Sequence, residues 1–203
     1  MYRFISAHLR SICSDIIRSP LFLISFCGLL AGSGPALSAN EAFRIVSDGK
    51  AHFSYHLAGQ RTRGFIPIES AGLMLDLDAP QDAEIIVNFN VARARAGNVL
   101  ATSALREEKV LNIKSFPNAR FVSRRIMRLN GGVRVTGDFT LRGETREMDL
   151  NISLLRDGRA DDEPSILRVV GQFDRREYGA DGYPGLVDPM IELDFQLEII
   201  PLR

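Results

Sequence analysis

Residues 187–199 read Val187-Asp188-Pro189-Met190-Ile191-Glu192-Leu193-Asp194-Phe195-Gln196-Leu197-Glu198-Ile199. Val187, Ile191, Leu193, Phe195, Leu197 and Ile199 fall on one side of an extended chain, and Asp188, Glu192, Asp194, Gln196 and Glu198 on the other. A strand sends successive side chains to opposite faces, whereas a helix would scatter these acids through its apolar side. The same period returns upstream. Val133, Val135, Phe139 and Leu141 alternate with Arg134, Thr136, Asp138 and Thr140; Met148, Leu150, Ile152 and Leu154 alternate with Glu147, Asp149, Asn151 and Ser153. Ile85, Val87, Phe89 and Val91 repeat it in residues 84–91. The chain is therefore all-β from residue 42 onward, each strand having one buried face.

Turn residues punctuate these runs. Asn130-Gly131-Gly132 reads as a tight hairpin, Arg142-Gly143-Glu144 as the next turn, and residues 157–164 as a longer polar loop. Such short links join antiparallel neighbours, because parallel pairing needs crossovers of a dozen or more residues. Strands are expected near 42–47, 51–58, 64–77, 83–93, 118–128, 132–142, 145–156, 166–175 and 187–200. Eight or nine one-faced strands curl into a barrel or stack as a sandwich. Residues 98–114 break the pattern. They are rich in helix formers, with Leu100, Ala104, Leu105 and Leu111 at helical spacing, and Pro117 prevents continuation. A lone helix between strands could plug or cover one end of a barrel.

The first forty residues differ from the rest. Arg3, Arg10 and Arg18 precede an apolar run, Leu21 to Ala31, that is too short to span a bilayer as a helix, which takes roughly 20 residues. Small residues at 34–39 follow, so residues 1–39 read as a secretory leader cleaved after Ser38 or Ala39, and residues 40–203 as one domain, periplasmic or secreted. Both cysteines, Cys13 and Cys27, lie in the leader. The exported domain thus has no disulfide scaffold, cysteine nucleophile or cysteine metal site. Acidic and basic residues number 25 each over the whole chain, so no strong field points toward nucleic acid.

Sequence motifs for metal, acyl, phosphoryl and dinucleotide chemistry are missing. His52 and His56 are four apart on a strand, about 13 Å, too far to chelate one ion, and are expected at the rim or surface. Asp157, Asp161, Asp162 and Glu163 do not match a calcium loop. Arg61, Arg63, Arg124, Arg125 and Arg128 lack the interleaved aromatics of a single-strand binder, and are expected on strand exteriors or around a barrel mouth. The interior remains. Phe43, Phe53, Phe65, Phe89, Phe121, Phe139, Phe173 and Phe195 fall in the expected strands, and they either fill an ordinary core or line a slot. A barrel of about eight strands can do either.

Four elements resemble one known family. Val133-Arg-Val-Thr-Gly-Asp-Phe-Thr-Leu-Arg-Gly-Glu-Thr145 is similar to the V-T-G-D-L-T-x-x-G-x-T run of the YceI-like polyisoprenoid-binding proteins, and Phe116-Pro117-Asn-Ala-Arg-Phe121-Val-Ser123 to their Y/F-P-x-x-x-F-x-S element. Phe173-Asp-Arg-Arg-Glu-Tyr178-Gly179 resembles their D-R-x-x-F-G stretch, and Arg63-Gly64-Phe65 with Ala71-Gly72-Leu73 their early glycine positions. Ala101-Thr-Ser-Ala-Leu105 departs from the family's R-D-x-H-L, and Phe53 and Tyr55 oppose His52 and His56 where the family alternates F-x-V-x-H on one face.

The resemblance implies an antiparallel eight-stranded extended lipocalin-like β-barrel with one short helical insertion. It further implies an apolar cavity for an isoprenoid lipid, a transient membrane contact and no other cofactor. The expected cavity-lining residues are Phe53, Tyr55, Phe65, Ile85, Val87, Phe89, Phe121, Val135, Phe139, Leu150, Ile152, Phe173, Leu193 and Phe195. The expected function is a non-enzymatic periplasmic carrier of a polyisoprenoid or isoprenoid quinone, with no nucleic-acid partner; a homodimer is one possible state. Two rivals stay open: a filled structural barrel, and an enzyme acting on such a lipid through Asp138, Asp174, Arg175 or Tyr178.

Overall fold

The computed structural model describes residues 41–46, 48–76, 79–158 and 163–202. The leader, and Asp161 and Asp162 of the polar loop, lie outside the described residues. Among the described residues nine strands follow one another: β1 (Glu41–Ile45), β2 (Lys50–Leu57), β3 (Gln60–Leu75), β4 (Glu84–Asn90), β5 (Asn118–Leu129), β6 (Gly132–Leu141), β7 (Glu144–Arg156), β8 (Ser165–Asp174) and β9 (Met190–Pro201). One helix, α1 (Val99–Leu105), sits between β4 and β5.

Every pairing is antiparallel and the sheet closes on itself, since β3 also pairs with β4. The nine strands make eight staves. β1 pairs with the end of β3 and the end of β9, while β2 pairs with the start of β3 and the start of β9, so β1 and β2 are two halves of one broken stave. That break accounts for the ambiguity between eight and nine strands in the sequence. The result is the expected closed eight-staved barrel with one helical insertion.

Alternation fixes which side chains point inward. Directly opposed residues share a face, so Ala51, Phe53 and Tyr55 on β2 face inward with Ile66, Gly64 and Thr62 on β3. Three bulges, between Ile68 and Ser70, Ser123 and Arg125, and Leu154 and Arg156, add one residue each and help the strands curve round the barrel. The first shifts the inward set of β3 from Ile66 and Ile68 to Leu73 and Leu75. The outer face carries ion pairs, such as the two-pronged Arg168–Asp194 pair at 2.9 and 2.8 Å.

Several boundaries differ from the sequence reading. β3 begins at Gln60, because Ala58 and Gly59 both take positive φ (51° and 76°) and close a two-residue hairpin. β9 begins at Met190, and Val187 makes only an isolated bridge to Leu57. The helix is confined to residues 99–105, with the Asn98 side chain accepting from the Ala101 amide at 2.8 Å; residues 106–115 continue as turns. Leu100, expected on its apolar face, is 83% exposed. Seven residues make barely two turns, too few to sustain a full apolar stripe.

Candidate functional site

The staves enclose a cavity of about 560 Å³. The topology gives its two ends different characters. One end carries the end of β3, the β5–β6 hairpin and the end of β7, and its lining residues Arg128, Leu129, Gly131 and Leu154 are exposed. The other end is covered by the β4–β5 connection with α1, and by the β8–β9 connection. There the lining residues Leu111, Arg175 and Ala180 are 7%, 6% and 1% exposed. Among the described residues the cavity is therefore a pit with one mouth. Among its described lining residues only Asp76, Arg128 and Arg175 are ionisable.

The lining changes along the axis. Ile45, Leu75, Ile85, Val133, Ile152 and Leu167 surround the outer half, whereas Phe53, Phe89, Phe121, Phe139 and Phe173 lie toward the closed end. Phe139 anchors that end, with ring centroids 6.3 Å from Phe89, 5.5 Å from Phe173 and 5.5 Å from Tyr178. Tilted and edge-on contacts of this kind favour the ring quadrupoles. Tyr178, in the short 3-10 turn after β8, lies beneath them, 1% exposed, and burial pushes its hydroxyl pKa up to about 12.

Close approach of two aromatic rings to the wall requires glycine. A Cβ on Gly64 would run into the Arg95 carbonyl oxygen and lie 2.9 Å from Phe53 Cε1. A Cβ on Gly137 would lie 2.9 Å from Phe121 Cε2. Both glycines fall within the family-like elements quoted above.

The closed end is fastened by hydrogen bonds to backbone. The Arg175 guanidinium donates to the carbonyls of Ala180, Gly182 (2.9 Å), Val187 (2.9 Å) and Asp188 (3.1 Å). Burial lowers its pKa below the ordinary arginine value. Arg142 donates to Glu108 (2.9 Å) and Gly179, tying the two covering connections together. The Tyr55 hydroxyl donates to Ala96 at 2.8 Å, and burial raises its pKa.

Of the residues expected to line a slot, Phe53, Ile85, Val87, Phe89, Phe121, Phe139, Leu150, Ile152, Phe173, Leu193 and Phe195 sit on the cavity wall. Three do not. Phe65 opposes His52 and faces outward, its ring 6.0 Å from the His52 ring and 5.2 Å from Lys50 Nζ. Tyr55 points inward but packs against Ala96, below the cavity. Val135 is 0% exposed, consumed by the core beside Ile126 and Leu150.

The sequence reading gave the 98–114 segment as a cover for one end and offered Arg128 as a mouth residue, but named no end residue as cavity lining. Leu105, Val110 and Leu111 form part of the closed end, and Asp76 and Arg128 stand at the mouth. Only the helical grouping of Leu105 with Leu111 hinted at the former. Of the histidines, His52 is exposed and His56 Nδ1 lies 3.8 Å from Asp188 Oδ2.

Asp174, Arg175 and Tyr178 share one short turn, while Asp138 lies apart on β6. Asp138 pairs with Arg124. Arg176, 2.6 Å away, holds Asp174 below the usual carboxylate range. No group of three or more His, Cys, Asp or Glu side chains able to hold a metal ion occurs among the described residues.

Comparison with known proteins adds to this geometry. The YceI-like domain matches residues 46–199. The chain is 24% identical to the UPF0312 protein plu2095 of Photorhabdus laumondii over 148 residues, covering 71% of this chain and 76% of that protein. It is 24% identical to the protein YceI of Escherichia coli O157:H7 over 150 residues, covering 72% and 76%. Among solved structures, BcnA of Burkholderia cenocepacia superposes with a TM-score of 0.66 at 17% identity, over 74% of this chain and 95% of that one. The YceI protein of Campylobacter jejuni gives 0.56 at 14% identity, over 69% and 84%. At these identities the superpositions speak for the barrel architecture.

Proposed function

The chain belongs to the YceI-like family, and from that premise we propose that it binds and carries a polyisoprenoid or isoprenoid-quinone lipid, hydrocarbon tail inward, in the one-mouthed barrel cavity. The observation that carries this reading is the unfilled centre: about 560 Å³, walled by Phe, Leu, Ile and Val from the mouth to the covered end. This volume lies within the range of about 300–1,000 Å³ found for small-molecule sites. An ordinary core of this size would be close-packed with few voids larger than a water molecule, which argues against a purely structural barrel. A branched hydrocarbon suits a wall with few polar groups. Each CH2 moved from water into it gains roughly 0.8 kcal/mol.

The protein acts by binding in this reading. Engagement of Asp138 by Arg124, of Asp174 by Arg176 and of Arg175 by backbone carbonyls supports it, since a general acid or base must be available to the reacting atom. The basic and apolar leader supports export of residues 40–203 to the periplasm or beyond. A water-insoluble cargo in an aqueous compartment requires transient contact with a membrane for loading and release.

The test is extraction of the protein, expressed as the full chain and purified without detergent, followed by mass spectrometry of the organic phase. A stoichiometric prenyl lipid is expected. Protein that arrives empty, and that fails to take up added prenyl alcohol or quinone, overturns the proposal.

A further inference from the structure

We propose that the closed end of the cavity is a chain-length stop, and that Leu105 sets the length of tail that can be fully enclosed. This inference rests on the lipid-binding reading above and names which tails that site prefers. The mouth cannot impose a length, because Arg128, Leu129, Gly131 and Leu154 there are exposed and a longer tail can project past them. The closed end can, provided that it is both apolar at its surface and rigid behind it.

Both conditions are met. Leu105, Val110 and Leu111 present hydrocarbon to the cavity from a segment inserted between β4 and β5, so the end wall is separate from the staves. Leu105 stands where the aromatic cluster under Phe139 meets the smaller cluster of Phe53, Tyr55 and Ala96. Its segment is pinned at several points. The Leu111 amide donates to the Leu105 carbonyl at 3.1 Å, the Ala96 amide to Thr102 Oγ1 at 3.0 Å, and Arg142 to the Glu108 carbonyl at 2.9 Å. At the same end lies Arg175 with its carbonyl partners, a polar layer that hydrocarbon does not enter. The end wall is thus built as a fixed stop.

The depth follows from the strands. Val133 lines the mouth half and Leu141 the closed end of β6. At about 3.3 Å per residue, and with the usual barrel tilt near 40°, their separation corresponds to roughly 20 Å along the axis. An extended chain advances about 1.2 Å per main-chain bond, so one isoprene unit spans roughly 5 Å. About four units then fit end to end. Each tail carbon that enters from water raises affinity roughly fourfold, and carbons left outside the mouth add far less.

The experiment is a competition series in which geraniol, farnesol, geranylgeraniol and solanesol displace N-phenyl-1-naphthylamine from the full chain and from two variants, Leu105→Phe and Leu105→Ala. Circular dichroism checks that each is folded. For the unaltered protein, affinity is expected to climb steeply to geranylgeraniol and then level off. Leu105→Phe, with a larger side chain at the stop, should weaken geranylgeraniol at least tenfold while leaving geraniol and farnesol within about twofold. Leu105→Ala should strengthen solanesol relative to geranylgeraniol. A levelling point that stays put in both variants overturns the stop while leaving lipid binding intact, and so does affinity that climbs without a break to solanesol. If no member of the series competes with the probe, lipid binding itself falls. Should Leu105→Phe not fold, Val110→Phe makes the same demand from the neighbouring position.

Discussion

Replacing Val87 with Phe separates a hollow barrel from a filled one by the sign of a stability change. Val87 lines the cavity from β4, whereas Val135 on β6 is 0% exposed and lines nothing. Phe adds four carbons to Val. At roughly 0.8 kcal/mol per buried CH2 the ceiling for carbons placed against apolar wall is about 3 kcal/mol. Ordering of the larger side chain and an imperfect fit remove about half. Val87→Phe should therefore stabilise ligand-free protein by about 1 kcal/mol, in the range of cavity-filling substitutions. The same change at Val135 has no space and should destabilise by about 2 kcal/mol or more. Urea denaturation of protein refolded free of lipid reads both, as opposite shifts of midpoint at unchanged slope. Val87→Phe should also weaken prenyl alcohol binding at least tenfold, about 1.4 kcal/mol. Two variants that destabilise equally, or a Val87→Phe protein that binds prenyl alcohol as well as the parent, would refute the inference that the wall at Val87 faces empty space.

Two further outcomes follow from the closed end and the wall. The Tyr178 hydroxyl is raised from 10.0 to about 12 in the folded state, so the folded chain keeps a proton that the unfolded chain loses above pH 10. That contribution, about 3 kcal/mol, is fully present below pH 10 and lost as pH rises to 12; midpoints measured across this window should fall more steeply in the parent than in Tyr178→Phe. Gly64→Ala should destabilise by about 3 kcal/mol, since the added methyl meets the Arg95 backbone oxygen and the Phe53 ring. Gly72→Ala, whose Cβ meets only Ile86 Cβ at 4.0 Å, should be neutral or stabilising by up to about 1 kcal/mol; equal melting-temperature losses in the two alanine variants would contradict the packing described at Gly64.

The staves were legible because a period of two is imposed by one buried face, and on β7 it placed Met148, Leu150, Ile152 and Leu154 together on the cavity wall. The alternation failed where it lost phase. Phe65 is as apolar as Phe53, but pairing sets it opposite His52, and the apolar residues around it, Ile66, Pro67 and Ile68, form a run with no alternation to assign a face. Val135 illustrates a second limit: periodicity tells inward from outward, but among inward residues only the three-dimensional packing tells wall from core. The ends of the pit were least legible. Leu105, Val110 and Leu111 come from turns as much as from helix, and turn geometry is set by contacts such as Arg142 with Glu108, distant in sequence. Arg128 at the mouth carries no sequence signal to distinguish it from Arg124, whose partner is Asp138.

The energetics of the exchange constrain how such a barrel works. Under the proposed function, a prenyl tail in water would gain greatly on entering the cavity, yet its source would be a bilayer interior that is already as apolar as a leucine side chain. The transfer from membrane to cavity therefore has little hydrophobic driving force, and its sign rests on fit. Rigid rings around Phe139 offer the tail dense dispersion contacts at the closed end. The aliphatic outer half ends in exposed Leu129 and Leu154, beside Asp76 and Arg128. Under the proposed function, tail carbons near the stop would contribute to retention, and those near the mouth would leave first, past Asp76 and Arg128. On the same proposal, a pit arranged in this order would load and unload through one opening with near-balanced free energy, as reversible carriage between two apolar phases requires.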